Sequence, residues 1–235
     1  MSLDISKISI KNALSSCFGR TIDTLNGGDE FLQLLAEKAE EVTVAPEQYL
    51  LQEGKNADFV YIPTSGTVML ERTASNGARQ VYAFLFTGNI LGLSTASIDT
   101  YNFSAKALTE LTAIKIRRRD LEMYFDHHHD VAKKFHNRTE MVLARMLDHL
   151  FVMGQRTAHQ RLAHFLLEME KRLFCHKGQY HLPMSRQDIA DYLGMTVSTA
   201  CRGFTKLKRQ GWINISSNSL IAINNHQALD DYIHR

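Results

Sequence analysis

The chain has 235 residues, 44% hydrophobic and 22% charged, enough for a substantial core and more than one typical domain. Its net charge of +2 hides an asymmetry: residues 1–154 carry 16 Lys and Arg against 19 Asp and Glu, whereas residues 155–235 carry 11 against 6, a basic balance that fits a nucleic-acid partner. No run reaches the roughly 18 apolar residues of a membrane helix, the N-terminus lacks a signal-peptide core, and Cys17, Cys175 and Cys201 form no CxxC pair; a cytoplasmic protein with no membrane partner, disulfide framework or metal site is expected.

Residues 1–28 are expected to be loosely structured. Residues 29–41 predict a helix with Phe31, Leu34, Leu35 and Ala39 on one side. Between 42 and 116 the pattern changes to short β-like runs, VTVA, YLLQ, FVYIP, TVMLER, QVYAFLF and TAIKI, punctuated by glycines at 54, 66, 77, 88 and 92. Asn76-Gly77 is a strong hairpin signal, and the whole predicts a rolled all-β unit. Arg117-Arg118-Arg119 then marks the end of the last strand as a solvated basic cluster.

Helical periodicity returns over 120–153. Val131, Phe135, Val142, Met146, Leu150 and Met153 make one stripe, and Leu143, Leu147 and Phe151 an adjacent one. Two apolar faces imply two partners: one face covers the β unit, and the first stripe meets the same helix of a second copy, coiled-coil fashion. His127-His128-His129 lies on this predicted helix, where successive side chains point about 100° apart, so the three do not converge on one metal. Gly154 is expected to act as a hinge, and a helix restarts over 157–173, packing through Leu162, Phe165, Leu166 and Met169.

The most informative stretch is 185–214, SRQDIADYLGMTVSTACRGFTKLKRQGWIN. Ser185 can cap a first helix, with Asp188 adding negative charge near its start and Ile189, Ala190 and Leu193 forming the buried stripe. Gly194 suits a tight left-handed turn, and Thr196 caps a second helix over 197–210. The second helix buries Ala200, Phe204 and Leu207 and turns Ser198, Cys201, Arg202, Thr205 and Lys206 outward, with Val197 between the faces. That is the pattern of a helix-turn-helix, and a helix of this size fits the roughly 12 Å major groove of B-DNA. Arg202 can donate two parallel hydrogen bonds to guanine O6 and N7. Ser185, Arg186, Thr196 and Thr199 suit phosphates. The following INISSNSLIAI predicts a hairpin wing. Cys201, a thiol facing DNA beside Arg202, is a candidate redox site. Gly203 stands where an apolar residue would brace the two helices, and a less rigid helix is expected.

LPMSRQDIADYLGMT, MLDHLFVMGQRTAHQRLAHFLLEM, EGKNADFVYIPTSGTVML and NGARQVYAFLFTGNILGLS together resemble the CRP/FNR superfamily of bacterial transcription regulators, more its FixK/FNR branch than the cyclic-AMP receptor branch. The resemblance covers nearly the whole chain. It implies an α+β fold: a β-roll sensor domain (1–119) of the cyclic-nucleotide-binding jelly-roll type, a long dimerisation helix (120–154) and a C-terminal winged helix-turn-helix (155–235). It also implies a homodimer that binds a palindromic promoter site and contacts RNA polymerase; an activator is expected, with the choice between activation and repression left open by the sequence.

Departures from the family pattern shape the expected mechanism. Members that bind cyclic nucleotides use a Gly-Glu-Leu segment and an Arg-Ser-Ala segment, aligned here with Gly92-Leu93-Ser94 and Phe103-Ser104-Ala105. Both charged ligands are missing, so no cyclic-AMP binding is expected. Cys17 alone cannot hold the iron-sulfur cluster of other members. No cofactor is predicted, and haem or another small ligand in the roll stays open. Related reading helices carry glutamate at the position of Ser198 and serine at that of Cys201, so a half-site altered beside the guanine is expected. The alternative to a DNA-binding regulator is an effector-binding sensor whose C-terminal unit mainly binds protein. No nucleophile elbow, phosphate loop or HExxH pattern points to an enzyme.

Overall fold

The computed structural model describes residues 5–18, 29–93, 99–173, 175–216 and 219–234. They form two compact units, one from Met1–Arg72 and Ala83–Val142, the other from Thr73–Tyr82 and Leu143–Arg235.

The first unit begins with a helix where a loosely structured segment was expected. Helix α1 (Ile5–Phe18) buries Ile10, Leu14, Cys17 and Phe18, which recur at helical spacing, in one core cluster with Leu32, Leu35 and Ala36 of α2 (Glu30–Lys38). The buried face of α2 is therefore not the expected one: Phe31 and Leu34 are exposed. Asp29 caps α2 by accepting from the Leu32 amide at 3.0 Å.

Seven strands follow: β1 (Glu40–Val44), β2 (Tyr49–Leu51), β3 (Phe59–Ser65), β4 (Val68–Thr73), β5 (Arg79–Leu85), β6 (Ser104–Ala107) and β7 (Leu111–Arg117). They form two sheets, in the orders β1-β7-β3 and β2-β6-β4-β5, the roll that the glycine-punctuated runs predicted. Inward residues Val60, Ile62, Ile114 and Ile116 join the core cluster of α1 and α2. Gly66, at φ +83°, lets two chain segments pass, because a Cβ there would stand 2.4 Å from the Glu110 carbonyl oxygen. Strand β6 lacked a clear signal in the sequence; its Ser104 and Ala105 pair with Glu71 and Leu70 of β4.

The predicted single helix over 120–153 is two helices, α3 (Arg118–His127) and α4 (His129–Gln155). His128 leaves the helical conformation at φ −133°, ψ 74°. At the break the Asp29 carboxylate lies 3.2 Å from His128 Nε2 and accepts from the Tyr124 hydroxyl at 2.8 Å. The histidine run divides accordingly, His127 stacking on Phe31 at 4.6 Å while His128 turns to Asp29. Arg118 is not a solvated member of its cluster, since its guanidinium donates to the Gly92 carbonyl.

The second unit contains the later part of α4, then α5 (Ala158–Arg172), β8 (Cys175–His176), β9 (Gln179–His181), α6 (Arg186–Tyr192), α7 (Val197–Arg209), β10 (Ile213–Ile215), β11 (Leu220–Ile223) and α8 (His226–Ile233). Gly154 lies inside the last turn of α4, so the chain turns instead at Arg156 and Thr157, where Thr157 and Gln160 form a capping box. Leu162, Phe165, Leu166 and Met169 of α5 are buried as expected. The β10–β11 pair is the predicted wing, although Ser217 and Asn218 at its tip lie outside the described residues. It belongs to a four-stranded sheet in the order β10-β11-β9-β8. The turn of the 73–82 hairpin also belongs to this unit, closed by the Ala74 amide donating to the Ala78 carbonyl at 2.9 Å and by Gly77 at φ +82°. No helix of the described residues is long and apolar enough to cross a membrane.

Candidate nucleic-acid interface

Local hydrogen bonding sets the geometry of the two-helix head. The Ser185 hydroxyl accepts from the Asp188 amide at 3.1 Å, and Asp188 Oδ2 accepts from the Ser185 amide at 2.9 Å, a reciprocal cap for α6. Thr196 Oγ1 accepts from the Thr199 amide at 3.1 Å and starts α7. Between them Gly194 takes φ +57°, and Arg161 of α5 donates to the Leu193 carbonyl at 3.0 Å, fixing the turn from behind. Ile189, Ala190 and Leu193 below, and Ala200, Phe204 and Leu207 above, are buried.

The outer face of α7 presents Ser198, Cys201, Arg202 and Thr205, all exposed, with Thr196 and Ser185 exposed at the two helix starts and Val197 and Thr199 half-buried. Arg202 Nη2 is 3.5 Å from Thr199 Oγ1, too long for a firm bond. Cys201 is a free, exposed thiol. The Thr205 hydroxyl donates back to the Cys201 carbonyl at 3.0 Å. Ser198, Cys201, Arg202 and Thr205 lie on one side of α7 by their spacing of three, one and three, and such groups can offer hydroxyls and a guanidinium fork to base edges and phosphates.

Two of the cations expected to face DNA are committed within the protein. The Arg186 guanidinium lies 3.3 Å from the centroid of the Phe204 ring, and burial pulls it below the usual arginine value despite the opposing influence of Cys201. Arg186 thus braces α6 against α7. Lys206 Nζ donates to the Tyr232 hydroxyl at 2.9 Å and sits 4.9 Å from its ring centroid, so it ties α7 to α8. Gly203 also has another role than a loosened helix. A Cβ there would meet Leu162 Cδ2 at 2.7 Å and His159 Cδ2 at 3.1 Å, so glycine permits close approach of α7 to α5. Sequence spacing could not disclose these partners. The exposed Lys208 and Arg209 add positive charge at the end of α7, a basic pair visible in the sequence itself.

The proposed dimerisation stripe separates into two groups. Val131 is fully buried in the first unit's core, and Phe135 is half-buried with its ring 5.2 Å from that of Phe125. Met153 is also half-buried, its Cε next to Gly194. Val142, Met146 and Leu150 are 43%, 46% and 65% exposed, and Met141, Leu143, Leu147 and Phe151 are 57% to 60% exposed beside them. The exposed apolar face of α4 thus runs over 141–151, with Val131, Phe135 and Met153 outside it.

In the roll, Phe103 is buried where cyclic-nucleotide binders have arginine, and Ser104 Oγ accepts from the Glu53 amide at 3.0 Å. Ser94 of the other aligned segment lies outside the described residues.

Comparison with known proteins agrees with this architecture. Residues 160–232 match the Crp-like helix-turn-helix domain family and residues 41–128 the cyclic nucleotide-binding domain family. The chain is 34% identical over 187 residues to the nitrogen fixation regulation protein FixK of Rhizobium meliloti, covering 80% of this chain and 84% of the relative. It is 32% identical over 180 residues to the transcriptional activatory protein AadR of Rhodopseudomonas palustris, covering 75% and 74%. Among solved structures, FixK2 from Bradyrhizobium japonicum superposes with a TM-score of 0.77 at 34% identity, covering 82% of this chain and 96% of that one. With its roll, its capped two-helix head and this similarity along most of its length, the chain belongs to the CRP/FNR family as a FixK-like transcription regulator with a DNA-binding helix-turn-helix.

Proposed function

We propose that the protein acts as a homodimer that reads an inverted repeat, placing one α7 in each of two major grooves about 34 Å apart. The exposed face formed by Ser198, Cys201, Arg202 and Thr205 carries this reading. Arg202 reads a guanine in each half-site, and Ser198, shorter than a glutamate, relaxes discrimination at the neighbouring base pair. The 141–151 face of α4 supplies the dimer contact, its apolar residues recurring at spacings of three and four. The name of the AadR relative favours activation, and contact with RNA polymerase in the cytoplasm follows from that role. The protein is a regulator and not an enzyme.

No cyclic nucleotide is the effector, because a phosphate would meet the buried Phe103 in place of a guanidinium. Haem or another small ligand in the roll has no residue argument in its favour. Oxidation of the exposed Cys201 thiol by a peroxide would add bulk to the reading face and weaken DNA binding. Equal loss of affinity in the wild type and Cys201→Ser after peroxide treatment would refute that.

The test is selection of binding sites from random duplex DNA by the purified protein. A two-fold symmetric motif with a guanine in each half-site is expected. Arg202→Ala should lose about 1–3 kcal/mol at each half-site, between about thirtyfold and on the order of ten-thousandfold over both. An asymmetric motif, or one unaffected by Arg202→Ala, would refute the assignment.

A further inference from the structure

The second unit holds a charge cluster between α6 and the 73–82 hairpin. Asp188 and Asp191 stand one turn apart on α6, and both turn toward Arg79, near the turn of the 73–82 hairpin. Arg79 Nη2 donates to Asp188 Oδ1 at 2.7 Å, and Arg79 Nε donates to Asp191 Oδ2 at 2.7 Å. The three side chains are only 24%, 11% and 15% exposed, in the order Arg79, Asp188, Asp191. Burial acts to lower the Arg79 value, and the hydrogen bonds to Asp191 and Asp188 outweigh it and raise it. The neighbouring Gln80 Nε2 donates to the Asp191 carbonyl at 2.9 Å, so two consecutive hairpin residues hold α6.

This attachment matters because α6 is short. Seven residues make about two turns, and a helix of that length has little stability without tertiary contacts. Asp188 is also the residue that closes the cap with Ser185, so the arginine grips the carboxylate that defines the start of α6. Through the Arg186 stack on Phe204, the placement of α6 sets that of α7. Without Arg79, two largely buried carboxylates one turn apart would repel each other and seek water. Helix α6 would shift, and the brace on α7 with it.

We propose that Arg79 is a positioning residue for DNA binding: by forking between Asp188 and Asp191 it holds α6, and through α6 the reading helix, in the DNA-competent orientation. The proposal rests on α6 and α7 being the DNA-binding head. Arg79 is engaged by Asp188 and Asp191 of α6, and a salt series separates a positioning effect from that of a phosphate contact.

The experiment measures affinity of the full chain for the duplex obtained by site selection, across a salt series, together with hydrogen exchange of the α6 amides. Arg79→Ala should weaken binding at least tenfold, leave the slope of log affinity against log salt unchanged, and speed exchange in α6. Arg79→Lys, which keeps the charge and loses the fork, should fall between, and it carries the test where Arg79→Ala does not fold. A double-mutant cycle over Arg79→Asp and Asp191→Arg should show coupling of at least tenfold, since the reversed pair restores the ion pair. Wild-type affinity in Arg79→Ala, or absence of coupling in the cycle, would overturn the proposal. So would a salt slope shallower by about 0.9 per subunit, the mark of one phosphate no longer neutralised, which would make Arg79 a phosphate ligand. Failure of the wild type itself to bind any duplex would overturn the DNA-binding assignment and this proposal together.

Discussion

Replacing Gly194 by alanine tests whether the turn between α6 and α7 needs glycine for its backbone or for space. At φ +57° an L-residue pays about 1–2 kcal/mol, because its Cβ crowds the following carbonyl oxygen. The new Cβ would also stand 2.5 Å from Met153 Cε, against a comfortable separation of about 3.5–4.0 Å, so the methionine end must retreat by about 1 Å. Methionine has the rotamers to do so, which keeps this second cost below about 1 kcal/mol. The expected loss is therefore about 1–3 kcal/mol, most of it from the backbone. Trp212, the only tryptophan, sits just beyond α7 with its ring 5.3 Å from that of Tyr232. Its fluorescence in urea follows the unit concerned without assuming that the whole chain unfolds in one step. In a Met153→Ala background the same Gly194→Ala change should still cost at least about 1 kcal/mol, the backbone share alone. An unchanged midpoint would refute the argument, and so would a cost that vanishes once Met153 is shortened.

Glutamate at both Met146 and Leu150 should convert a dimer into monomers at micromolar concentration in sedimentation equilibrium, since four charges per dimer would face one apolar seam; an unchanged mass would place the contact elsewhere. Burial lowers the values of His149 and His164, so both stay neutral in the folded unit while the unfolded chain takes up protons below about pH 6.5. Their contribution to stability is complete above that pH and is lost as pH falls from about 6.5 toward the lowered folded values. Trp212-monitored melting should therefore weaken between about pH 7.5 and 5.5. His149→Phe, which keeps the stack on Tyr192, should flatten that change, and identical pH profiles would refute the assignment. Titration calorimetry with cyclic AMP should show no micromolar binding, and a micromolar isotherm would show that the roll captures phosphate without the missing arginine.

What the sequence determined by itself was whatever depends on neighbours three or four positions apart. The caps at Ser185 and Thr196, the left-handed turn at Gly194 and the faces of α7 are set by i to i+3 and i to i+4 relations, and these are fixed once the chain is helical. The β-runs between glycines were legible for a related reason, because strand alternation and turn chemistry are both local. Tertiary structure decided everything that depends on a partner distant along the chain. The helix breaks at His128, whose ring lies against Asp29 from 99 positions earlier, and Phe204 stacks on the guanidinium of Arg186 that the sequence offered to phosphate. Gly203 looked like a weak point in a helix and proved to be the gap through which α5 and α7 approach. Val131 and Leu150 sit on stripes of the same periodicity, yet one is 1% and the other 65% exposed, because only the first has a core packed against it. A pattern of apolar residues says that a face will be covered; which neighbour covers it is settled by the folded chain.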